Sequence, residues 1–170
     1  MEGHYRQLRK TVKGKELICI QDTTEYNYNH HKDILKKDQL GTISDNYSLG
    51  LRVHPMLVMD YDGFPYGISS LQILNRLGKE QDRHERKYQQ LPIEEKESYR
   101  WIKSIAETKT RLAKSKSLTI VADRESDIYQ LWCRTLDSKT HLVIRTAFKR
   151  KFIDEQGAEV LPVSAPALLG

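Results

Sequence analysis

Apolar positions in this chain gather into short unbroken runs, and two of the runs end in the same way. Leu17-Ile18-Cys19-Ile20 is closed by Gln21-Asp22-Thr23-Thr24, and Leu118-Thr119-Ile120-Val121-Ala122 is closed by Asp123-Arg124-Glu125-Ser126-Asp127. Aliphatic and β-branched runs bounded by polar residues predict buried strands covered on both faces, and parallel sheets collect their chemistry just beyond the carboxyl ends of such strands. Each run therefore predicts a strand that delivers an aspartate to a site.

Between them, residues 50–60 read as a second strand, 61–65 as a turn set by the Asp62-Gly63 pair, and 66–74 as the returning strand of a hairpin. Pro55 has no N–H to give to a ladder, which puts the early part of the second strand at an edge or in a bend. Trp101, Ile105 and Leu112 recur at helical spacing while Lys103, Lys109 and Lys114 fall on other faces, so a helix is expected over residues 94–114. A further helix through Ile128, Leu131, Trp132 and Leu136, capped by Ser126 or Asp127, leads to a strand at 141–145. Strand, helix, strand implies a parallel right-handed crossover. Residues 1–15 lack clear periodicity and read as a mobile basic lead-in. Residues 23–31 and 35–43 read as loops, and 78–90, where acids and bases alternate with little to bury, as an exposed excursion. From Val160 to Gly170 there is no charge, and Pro162 and Pro166 bar a regular helix or central strand, so residues 151–170 are expected to be the start of a downstream region the chain does not finish or a non-native tail.

The length of 170 residues fits one domain with a real core. Charged residues at 30% against hydrophobic ones at 38% describe a globular composition and exclude disorder. No apolar run approaches the ~18–20 residues of a membrane span, and the basic start holds no signal-peptide core, so an intracellular address without a membrane is expected. The net charge of +5 is unevenly placed. Residues 1–17 carry five bases against two acids, and 103–116 five bases against one. Arg145, Lys149, Arg150 and Lys151 form a third block with no acid until Asp154. Three basic blocks in one small domain favour a polyanionic partner, nucleic acid first.

If the two aspartate-bearing strands are neighbours, Asp22 and Asp123 stand side by side. Two carboxylates that close stay ionised together only beside a cation, which predicts a metal site. His30-His31 suits a surface loop better than a metal centre, because neighbouring side chains point apart. Cys19 and Cys133 lack C-x-x-C spacing and read as reduced packing residues, with neither disulfide nor zinc indicated. Leu57-Val58-Met59-Asp60-Tyr61-Asp62-Gly63 also fits the strand and D-x-D-G opening of haloacid-dehalogenase-like phosphatases, with Asp60 as nucleophile and Asp62 as acid/base; a hairpin turn accounts for the same residues.

Antiparallel strands, a helix, then parallel strands, with acids ending the first and fourth, describe an incomplete ribonuclease-H-like α/β fold: a mixed sheet flanked by helices, over residues 16–150. The residues Gln21-Asp22-Thr23-Thr24 with Tyr28, Leu40-Gly41-Thr42-Ile43, Gly50 with His54, Glu95-Lys96-Glu97-Ser98, Trp101, and Ala122-Asp123-Arg124-Glu125-Ser126-Asp127-Ile128-Tyr129 resemble the DDE transposases of the insertion-sequence 4 family. The resemblance implies that Asp22 and Asp123 are the first two catalytic acids and ligands of Mg²⁺, with Mn²⁺ as substitute. It implies that Arg145, Lys149, Arg150 and Lys151 contact the DNA backbone, and a bacterial, nucleoid-associated location in the cytoplasm. The family's third acid, a Glu in a Tyr-x2-Arg-x3-Glu-x6-Lys motif, has no counterpart here, and the residues before Asp22 leave no room for its N-terminal DNA-binding domain. The expectation is therefore a transposase fragment, inactive alone, with DNA, a second copy or a complementing transposase half as partners. The alternative is a non-catalytic remnant that binds DNA or a partner. Glu125 is expected to support the fold through Arg124 or a backbone group.

Overall fold

The computed structural model of the chain describes residues 1–35, 40–76, 90–146, 152–153 and 159–160, the last two pairs as backbone alone. It is an α/β structure with a mixed sheet and flanking helices. Strands β1 (Glu16–Gln21) and β2 (Thr24–Asn27) both pair antiparallel with β3 (Gly50–Met59), and they do so in one continuous register. Residues 18–21 face 59–56 and residues 24–27 face 53–50, so counting through the break puts Asp22 and Thr23 opposite Pro55 and His54. On its other side β3 pairs antiparallel with β4 (Pro65–Leu74). β1 in turn pairs parallel with β5 (Ser117–Ala122), and β5 parallel with β6 (Thr140–Ile144). Across the sheet the order is β4, β3, the β1/β2 line, β5, β6. Phe152–Ile153 (β7) and Glu159–Val160 (β8) form a separate antiparallel pair.

Pro55 thus lies in an interior strand and not at an edge. What makes this tolerable is the break itself, because the residue without an N–H stands opposite the unpaired Asp22. The Asp-Gly turn is a hairpin as expected: Gly63, at φ 85°, donates its N–H to the Asp60 carbonyl at 3.2 Å. The D-x-D-G acids therefore belong to an antiparallel hairpin tip and not to a parallel strand end.

Residues 2–11 correct the expectation of a mobile lead-in. Glu2–Thr11 is helix α1, because Tyr5, Leu8 and Val12 recur three and four residues apart and bury one face. It docks on β4 at Gly67, where a Cβ would meet the His4 ring at 2.5 Å and where φ of 134° suits glycine. Helix α2 (Tyr99–Arg111) is shorter than expected, a 3-10 turn at Ile93–Glu95 taking the place of its first turn. Helix α3 (Tyr129–Thr135) makes the predicted crossover between β5 and β6. Neither Ser126 nor Asp127 caps it; Asp123 instead caps a 3-10 turn at Arg124–Ser126.

All three helices contribute buried apolar residues to one cluster, built with Leu17, Cys19, Met56, Val58, Leu118 and Ile120 from a single face of the sheet. Cys19 is fully buried, and burial pushes its thiol up to about 12. Cys133 departs from the packing role expected of it, since it lies exposed on α3. Among the described residues no helix is long and apolar enough to cross a membrane. Residues 77–89, which contain most of the expected excursion, and 161–170 of the tail lie outside the described residues.

Candidate functional site

Register brings the predicted acids together. Glu16 pairs with Ser117 and Ile20 with Val121, so Asp22 and Asp123 each follow the end of their strand at the same level. The same step applies once more: Ala122 pairs with Ile144, and Arg145 donates its N–H to the Ala122 carbonyl at 3.4 Å. Asp22, Asp123 and Arg145 therefore form one row across three adjacent parallel strand ends, and all three are exposed. Lys149, Arg150 and Lys151 lie outside the described residues.

Each aspartate is steadied by the backbone that follows it. Asp22 Oδ1 accepts the Thr23 N–H at 2.7 Å, and Asp123 Oδ1 accepts the Glu125 N–H at 2.9 Å. Among the described residues, the second oxygen of each carboxylate has no protein donor. Asp123 thus combines the cap role open to any aspartate at such a turn with a free oxygen facing out.

Beneath the row lies a polar network with no local signal in the residue pattern. Thr23 Oγ1 accepts from Arg100 Nε at 3.0 Å and lies 2.9 Å from His54 Nδ1. His54 Nε2 lies 3.2 Å from Gln21 Oε1, so a neutral ring, with one nitrogen donating and the other accepting, serves both contacts. His54 is fully buried and meets the Trp101 ring edge-on at 4.6 Å. Burial, reinforced by the charge of Arg100, brings its pKa down to about 4, so it stays neutral as this pattern requires. Gln21 is 2% exposed, and among the described residues its Nε2 has no partner.

Glu125 does not rely on Arg124. Its carboxylate pairs with Arg100 Nη2 at 2.7 Å, across from helix α2. A second ionic cluster, Glu97 between Arg52 at 3.1 Å and Arg76 at 2.6 Å, ties β3 and the end of β4 to the approach of α2. Burial alone raises the Glu97 carboxyl, yet the hydrogen bonds and charges of the two arginines outweigh it and hold the group at about 2. His30 and His31 sit exposed in a 3-10 turn, as expected of a surface loop. Among the described residues no three His, Cys, Asp or Glu side chains gather into a metal-holding group.

No family model matches the chain, and no curated protein matches it.

Proposed function

We propose that residues 16–146 form part of the catalytic core of a DDE-type DNA transposase, ribonuclease-H-like in fold. The observation that carries this is the row of Asp22, Asp123 and Arg145, made by a register that spans strands a hundred residues apart in sequence. The sheet order supports it: two antiparallel strands beside the first, two parallel ones on its far side, with helices inserted before β5 and before β6. The donor chemistry suits a hard divalent cation, since both acids offer carboxylate oxygens and, among the described residues, neither is paired with a cation. Asp22 and Asp123 would hold Mg²⁺, which, when bound, supplies activation of a water or 3′-hydroxyl and stabilisation of the leaving oxygen at a phosphodiester. Arg145 meets the DNA backbone beside them and neutralises phosphate charge.

Two acids make an incomplete set for that chemistry. Glu125 cannot fill the vacancy while Arg100 holds it. The described residues thus bind a divalent ion weakly and position DNA, and the reaction needs a third carboxylate from elsewhere. Mn²⁺ relaxation titrations test the site: the chain should bind, and Asp22→Ala should abolish binding, whereas equal binding by both proteins would sink the metal assignment. Supercoiled DNA with Mg²⁺ or Mn²⁺ should stay intact, because groups that act as a unit lose most of their effect when one is absent. Nicking abolished by Asp123→Ala would show a complete site within this chain. DNA binding without any affinity for Mn²⁺ would instead favour the non-catalytic DNA-binding alternative.

A further inference from the structure

Arg100 hydrogen-bonds to the turns following both acids. Its Nε donates to Thr23 Oγ1 at 3.0 Å, one residue beyond Asp22, and its Nη2 reaches Glu125 Oε2 at 2.7 Å, two residues beyond Asp123. Its Nη1 donates to the Glu97 carbonyl at 3.0 Å, which anchors the guanidinium to the start of its own helix. The charge lies 5.4 Å from the centre of the Trp101 ring, and the side chain is 10% exposed. A planar fork with five donors spans several fixed acceptors at once, and packing against an aromatic face limits its rotamers. The two residues that receive Arg100 are also the two whose backbone N–H groups hold the carboxylates: Thr23 N–H to Asp22, and Glu125 N–H to Asp123.

Resting on the function proposed above, we infer that Arg100 is a positioning residue: it braces the Asp22 and Asp123 turns against helix α2 and so sets the spacing of the two carboxylates. It acts on the two carboxylates through its hydrogen bonds to Thr23 and Glu125. Trp101 and His54 form the floor of the brace, since His54 shares the Thr23 hydroxyl with Arg100 and packs edge-on against Trp101. By the same contacts the brace withdraws Glu125 from the metal: a carboxylate close to the row is committed to holding the turn.

The test reads the two turns and the ion separately, on the same samples. Backbone ¹⁵N relaxation of the full chain should show Thr23 and Glu125 as rigid as the strands. In Arg100→Gln both amides should loosen together, with order parameters falling toward the ~0.6 of flexible backbone. Arg100→Lys keeps the charge without the fork and should loosen both by less. Arg134→Gln, which breaks a remote surface pair with Glu94 at 2.7 Å, should change neither. Mn²⁺ affinity should fall about tenfold in Arg100→Gln, equal to about 1.4 kcal/mol. A purely structural arginine would instead lower the melting temperature and leave the folded protein's Mn²⁺ affinity alone. Wild-type rigidity at either amide in Arg100→Gln overturns the inference, as does unchanged Mn²⁺ affinity in that variant. Should Arg100→Gln fail to fold, Arg100→Lys decides by the same two amides, and no loosening there overturns it equally. A wild-type chain that binds no Mn²⁺ sinks the metal assignment of the site, and the paired loosening of the two turns then supports the brace by itself.

Discussion

The two faces of the sheet are nearly equal in apolar content and unequal in what covers them. On one face Leu17, Cys19, Met56, Val58, Leu118 and Ile120 pack under three helices, and the polar side chains among them, His54, Gln21 and Arg52, are held by hydrogen bonds or ion pairs. On the other face Ile18, Ile20, Val53, Leu57 and Val121 are half-buried and outside that cluster, and Ile73 and Val143 stand 66% and 56% exposed. Hydrophobic burial scales with area removed from water, about 25 cal/mol per Å², so equal residues on the two faces contribute unequally. An unbroken apolar run therefore predicts a strand without saying how completely each face is covered. Here the described helices cover one.

The largest contrast is expected at the floor of the site. Trp101 is fully buried on α2, with its ring against His54 of β3, and Trp101→Ala should cost about 3–5 kcal/mol in urea unfolding. A like-for-like comparison follows on neighbouring strands: Ile120, fully buried on the helix side, against Ile20, half-buried on the open side. Ile120→Ala should cost about 2–5 kcal/mol and Ile20→Ala about 1 kcal/mol. Equal losses would break the comparison, because Ile20 would then have to be packed as closely as Ile120.

Acid sharpens the contrast, since the covered face holds a histidine that folding keeps neutral. The folded pKa of His54 is about 4 and the unfolded value 6.5. Between these values the unfolded chain takes up a proton that the folded one refuses, so stability falls as pH drops from 6.5 toward 4. The loss is on the order of 3 kcal/mol, at about 1.4 kcal/mol per pH unit. Glu97 acts in a lower window. Its folded carboxyl sits at about 2 against 4.5 unfolded, so the stability it contributes is complete above 4.5 and is lost as pH falls toward 2. Urea midpoints measured from pH 7 to 3 should decline through both windows. In His54→Gln the decline between 6.5 and 4 should flatten while the lower part remains; an unaltered upper slope would remove His54 as its cause.

Much of this frame was legible in the residues, and the reasons differ from element to element. The Asp22 and Asp123 runs, the hairpin and the α2 periodicity are local signals, and the tertiary structure agrees with them. The β1/β2 break and the place of Pro55 were not legible, since a proline is compatible with an interior strand only when its neighbour fails to pair, and pairing is not local. Helix α1 was hidden by its charge: Tyr5, Leu8 and Val12 make a narrow stripe among basic residues. Arg100 offered only its place beside Trp101, and nothing short of the fold joins residue 100 to residues 23 and 125. Glu125 was expected to act through Arg124 or a backbone group, and its carboxylate took a side-chain partner 25 residues away.

The smallest effect is expected where the open face meets the sheet's edge. Ile73 lies in β4, opposite Val53 and on the side away from the helices. Ile73→Thr keeps the β-branch that suits a strand, removes little buried area, and places a hydroxyl where water reaches it. The change in unfolding free energy should stay within about 0.5 kcal/mol, as for exposed positions in general. The same substitution at Val58, fully buried on the helix side of β3, adds an unpartnered hydroxyl to a packed core and should cost about 1–3 kcal/mol. Urea unfolding of the two variants under one condition makes the measurement. A loss of 2 kcal/mol or more at Ile73 would mean that this side chain is covered in solution, and the distinction between the two faces would disappear at the position where it is widest.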